Sequence, residues 1–135
     1  MSADERAKWA SIWMSLTPFE MLTQRSGVQA AKGTVVVGGL GLRWFLRKVC
    51  ERPSVELVIV VERSQELLDW YGTAMCQKHS KVTDVICDDA YNQIGKHGEA
   101  RYLLDIWPTF GDARNDQRFI QAKRALKKNN WGWGA

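Results

Sequence analysis

β-branched residues crowd two short runs of the chain, TVVVGG at 34–39 and VELVIVVE at 55–62. A strand with one wet face alternates apolar and polar residues, and these runs hardly alternate, so both faces of each strand are expected to be buried. Strands buried on both faces belong to parallel sheets, whose crossover connections lay helices over them. The sequence supplies those helices. LRWFLRKVCER (42–52) follows the first run and stops before Pro53. SQELLDWYGTAMCQ (64–77) follows the second, with Ser64 as N-cap, Glu66 in the first turn, and Leu67, Leu68, Tyr71, Ala74 and Met75 on one face. KVTDVIC (81–87) reads as a third strand and ARYLLDIW (100–107) as a fourth. DQRFIQAKRALKK (116–128) reads as a helix with Phe119, Ala122 and Leu126 beneath it, and the tail NNWGWGA has room for one short strand. Strands and helices in this order predict an α/β fold: a Rossmann-like, open, mostly parallel sheet with helices on both faces.

The first 32 residues have a different rhythm. Residues 3–14 carry Trp9, Ile12 and Trp13 at helical spacing. Pro18 then opens a second helical stretch, PFEMLTQRSG, with Gly27 as its expected stop. Residues 1–32 are therefore read as an N-terminal helical extension and 33–135 as the Rossmann-like unit, together one structural domain. No repeat or linker interrupts the 135 residues.

Composition narrows the classes. No apolar run approaches the 18 or so residues of a membrane span. The N-terminus carries acids and Trp where a secretory signal would be basic and then apolar. Cys50, Cys76 and Cys87 lack disulfide or zinc spacing and suit a reducing compartment, so a cytoplasmic protein is expected. The net charge of +4 permits polyanion binding without arguing for it.

Four places along the chain carry chemistry. GGLGL puts Gly38, Gly39 and Gly41 where the first strand turns into a helix. There, backbone amides face outward and glycine admits a ligand without a Cβ in the way. A dinucleotide fingerprint would place another glycine at position 44, which is Trp44, so NAD is not expected. Glu62 ends the second strand beside that turn, where a carboxylate can accept from both hydroxyls of a ribose; alternatively it pairs with Arg63 or caps the next helix. In CDDAY, one aspartate can accept from an adenine amino group, or Asp88 and Asp89 simply cap the segment after them. LLDIWPTFGD places Asp105 at the end of the fourth strand, across the switch point where open sheets bind ligands. His79 and His97 stand in polar turns and offer no better base.

These four segments together resemble the cofactor-binding core of class I S-adenosylmethionine-dependent methyltransferases, in the branch that includes the spermidine synthases. VVVGGLGLRWFL resembles the glycine motif, VELVIVVERSQELLDW the second strand and helix, VICDDAY the adenine segment and LLDIWPTF the strand-four motif. The resemblance implies S-adenosylmethionine as cofactor and S-adenosylhomocysteine as product. It implies Gly38, Gly39 and Gly41 near the methionine part, Glu62 with Arg63 at the ribose, and Asp89 with Ala90 at the adenine. Asp105 would meet the cofactor's amino group or act on the methyl acceptor, with Thr17, Gln24, Trp107 and Phe110 around the substrate. The chain departs from the pattern at Val37, Arg43 and Asp88, and it stops before the last strands of the usual seven-stranded sheet.

Two other readings stand beside this one. A shortened sheet leaves an edge that a second copy can cover, giving a dimeric nucleoside-binding or structural module rich in Trp. The basic segment QAKRALKKNNWGWGA can instead contact nucleic acid, with its Trp residues stacked on bases.

Overall fold

The computed structural model describes residues 2–4, 18–40, 43–107, 111–126, 129–133 and 135. The helix expected over 3–14 falls almost wholly outside them, as do Thr17, Gly41 and Phe110. Among the described residues, five strands form one sheet: β1 (Gly33–Gly38), β2 (Val55–Glu62), β3 (Val82–Cys87), β4 (Arg101–Leu104) and β5 (Asn130–Gly132). Their spatial order is β3-β2-β1-β4-β5, and every pairing is parallel. The fold is a Rossmann-like α/β fold, a five-stranded parallel sheet flanked by helices. Among the described residues, no helix is long and apolar enough to cross a membrane.

The non-alternating runs do what their composition requires. Val35 and Val37 of β1, Val58 and Val60 of β2 and Leu103 of β4 feed one core. It is shared with α1 (Pro18–Ala30), α2 (Arg43–Glu51), α3 (Gln65–Leu67) and α4 (Thr73–Gln77). Val36, Ile59, Val61, Tyr102 and Leu104 point the other way, into a second core under α5 (Ala90–Gln93) and α6 (Gln117–Leu126). β4 stops three residues short of the expected Trp107, although the Asp105 amide still donates to the Gly38 carbonyl at 2.8 Å.

Two local readings are corrected by packing. Leu68–Gly72 forms a π turn between α3 and α4. Its extra residue rotates the helix beyond it, so Met75 and Cys76 are buried while Ala74 is exposed. Gly27 is not a stop, because α1 runs through it to Ala30. A Cβ there would lie 2.8 Å from the Trp131 indole, which stacks on Phe45 and donates to the Ser26 hydroxyl. Alanine at position 27 would gain about 1 kcal/mol of helix propensity and would lose about 1–3 kcal/mol to overpacking. Gly27→Ala is therefore expected to lower the urea midpoint; a rise would mean that α1 is only loosely seated on the sheet.

Candidate functional site

The carboxyl ends of β1, β2 and β4 open onto a cavity of about 600 Å³ at the point where the chain order reverses. Gly39, Glu62, Arg63, Asp89, Ala90, Asp105 and Trp107, all expected at a ligand, line it. Gly38 lies one residue below, packed against Leu104 and Ala90.

The turn after β1 is held from two sides. The Gly39 amide donates to the Val61 carbonyl at 2.9 Å, and its φ of +91° is a conformation that favours glycine. A Cβ at this position would collide with the backbone carbonyl of Asp105. Leu40 then donates its amide to Glu62 Oε1 at 3.0 Å, and the Ser64 amide donates to Glu62 Oε2 at 2.7 Å. Ser64 is the N-cap read from the sequence, its hydroxyl accepting from the Leu67 amide at 3.1 Å. Glu62 thus clamps the glycine turn and the start of α3 together while its carboxylate borders the cavity.

At the end of β3 the two aspartates divide. Asp88 accepts from Gln93, Asn92 and the Asp89 amide, and these bonds, that from Gln93 foremost, hold its carboxyl below the usual range. Asp89 caps α5 through the Tyr91 amide and pairs with Arg118 at 3.3 Å. On the β4 side, Gln24 is fully buried and donates to Asp105 Oδ2 at 2.6 Å, while Gln24 Oε1 has no hydrogen-bond partner among the described residues. The helix read as an extension therefore reaches the rim of the site.

One wall escaped the sequence reading. Asp116, just before α6, accepts from the Tyr91 hydroxyl at 2.8 Å, the Trp107 indole at 3.0 Å and the Arg118 amide at 3.0 Å. The Arg118 guanidinium lies 4.0 Å over the Tyr91 ring. Burial first, then the bond to Asp116, raises the Tyr91 phenol well above its ordinary range, so it stays a donor. Partial burial alone would raise Asp116, but the bonds from Trp107, Tyr91 and the amides of Arg118 and Phe119 outweigh it and hold the carboxyl low. A depressed aspartate contributes stability above its unfolded value of about 3.9, and loses it as pH falls through the folded value. Asp116→Asn should lower the urea midpoint near neutral pH, and the difference from wild type should shrink toward about pH 3. A difference independent of pH would contradict this.

The lining of the cavity carries a surplus of acids. Among the described residues, Glu62, Glu66, Asp89, Asp105 and Asp116 face only Arg63 and Arg118 on its lining. Such a surplus disfavours a pyrophosphate and favours a cationic ligand. Trp44, by contrast, packs against the first core and does not line the cavity, so its indole does not guard the turn. His97 lies elsewhere: its amide donates to the Tyr102 hydroxyl and its ring meets Gln93. Trp131 and Trp133 are tied to α1, the former by donating to the Ser26 hydroxyl at 3.0 Å and the latter by donating to Thr23 at 2.9 Å. Compared with family models, curated proteins and solved structures, the chain gives no significant match.

Proposed function

We propose that this chain binds S-adenosylmethionine and S-adenosylhomocysteine at the sheet rim and acts as a methyltransferase-like protein. The observation that carries the reading is Glu62, a carboxylate fixed by two backbone amides at the edge of an electronegative cavity. Each of its oxygens keeps a second lone-pair direction for a ribose hydroxyl. The cavity volume lies inside the range of about 300–1,000 Å³ usual for small-molecule sites, and its surplus of carboxylates suits a sulfonium.

When bound, the cofactor would supply an electrophilic methyl group; the rest of the work falls to the chain's own residues. Glu62 would hold the ribose. Asp89, steadied by Arg118 and the Tyr91 amide, would accept from the base. Asp105, oriented by Gln24, would face the ligand's amino group or take the proton of an acceptor. Trp107, at the cavity wall, would screen the reacting centre from water.

Trp107 also gives the test a signal. S-adenosylhomocysteine should quench tryptophan fluorescence saturably, and NADH should compete poorly because its pyrophosphate meets the carboxylates. Tighter binding of NADH would overturn the reading.

A further inference from the structure

The amino ends of the strands, opposite the acidic cavity, carry the reverse charge. Lys81 precedes β3, Arg52 precedes β2, Lys32 precedes β1 and Arg101 opens β4. These strands are neighbours in that order, about 4.8 Å apart, so the four cations form a row roughly 15 Å long. Side-chain bonds fix part of it. Lys81 Nζ donates to the Arg52 carbonyl at 2.8 Å, and Arg52 Nε donates at 3.1 Å to the carbonyl of Ala31, next to Lys32. Each bond closes the carboxyl end of a helix, α2 or α1, and uses one N–H of a head group that has several. Lys32 and Arg101 line one open depression of about 570 Å³, with Thr34, His97 and Asn129 beside them. Acids share this rim: Glu99 borders the depression, Glu56 is exposed on β2, and Glu51 is held by Arg47 and Lys48. Among the described residues, none of the four cations of the row forms an ion pair.

From this row we propose that the amino rim of the sheet binds the phosphate backbone of double-stranded nucleic acid. One phosphate enters the depression between Lys32 and Arg101, where Thr34 and Asn129 can also donate, and its neighbours along the strand meet Arg52 and Lys81. A protein partner or a bilayer would be gripped through apolar side chains as well. Among the described residues the row has no exposed large apolar side chain beside it; Leu22, which is exposed, lies about two turns back along α1. The same lack leaves unpaired bases without an aromatic platform, which favours a duplex whose bases stay stacked inside. The rim lies at the other end of the strands from the cavity, so the proposal stands apart from the methyl-transfer reading.

Fluorescence anisotropy of the full chain with labelled duplexes of about 20 base pairs tests this. Binding should be saturable, equal for unrelated sequences, and weakened about 100-fold between 50 and 200 mM salt, the slope of about −3.6 expected for four phosphate contacts. Lys32→Gln with Arg101→Gln should cost at least about tenfold and halve that slope, with circular dichroism unchanged. Lys32 is exposed, so Lys32→Gln alone, which should reduce the slope by about 1, keeps the test open if the double variant unfolds. Lys123→Gln with Arg124→Gln, on α6 and outside the row, should change affinity less than about threefold. An equal loss from that pair, a strong preference between duplex sequences, or tighter binding of the single strand would overturn the proposal. So would displacement of the duplex by polyglutamate or phosphatidylserine vesicles at equal charge, which would make the row a surface for an acidic protein or a membrane.

Discussion

Gly39→Val is expected to destabilise the protein by more than about 3 kcal/mol, a large share of the 5–15 kcal/mol that holds a typical domain together. Two effects add. The backbone at residue 39 sits at a φ of +91°, where a β-branched side chain costs on the order of 1–3 kcal/mol. The new Cβ would also be driven into the Asp105 carbonyl, a backbone atom that cannot move without tearing β4 from β1. Gly39→Ala drives the same Cβ into that carbonyl, with less strain from the side chain beyond it, and should still cost at least about 2 kcal/mol. The urea midpoint measures it. A loss under about 0.5 kcal/mol for either variant would mean that the turn after β1 is not held as described.

Glu62→Ala should weaken S-adenosylhomocysteine by at least about 100-fold, because charge-assisted hydrogen bonds to the two ribose hydroxyls contribute roughly 1.5–3 kcal/mol each. Glu62→Gln should fare little better. The residue accepts from two N–H groups, Leu40 on one oxygen and Ser64 on the other. A glutamine can accept with its oxygen but must turn its NH2 toward the second donor. One amide is then opposed, and the glycine turn or the start of α3 shifts. Arg63→Ala, which changes an exposed neighbour on the same rim, should alter affinity less than about threefold. Comparable losses at positions 62 and 63, whose charges are opposite, would mean that the rim as a whole is disturbed rather than that a ribose clamp is lost.

What the sequence disclosed depended on distance along the chain. β1 and β2 announced themselves because burial on both faces removes polar alternation, and Ser64 announced α3 because an N-cap bond spans only three residues. Asp89 as a cap was legible for the same reason. Other contacts join residues too far apart for any local pattern. Gln24 reaches Asp105 across 81 positions and Arg118 reaches Asp89 across 29. Gly27 looked like a helix terminator because glycine usually is one, and only the Trp131 ring, supplied by the last strand, explains it within α1. Trp44 misled in the opposite direction: spacing put it on the turn, but helix α2 rotates its indole toward the core. The π turn at Leu68–Gly72 was likewise invisible, since Gly72 packs beneath Leu40 of the distant glycine turn.

Calorimetric titration of S-adenosylhomocysteine into the wild-type chain and into Glu62→Ala puts the matter to its sharpest trial. A saturable heat from one ligand per chain, lost or shifted at least about 100-fold in the variant while its circular dichroism is unchanged, is the predicted result. No heat from the wild type at millimolar ligand, or equal binding by both proteins, would contradict the assignment of the rim to an adenosyl ligand.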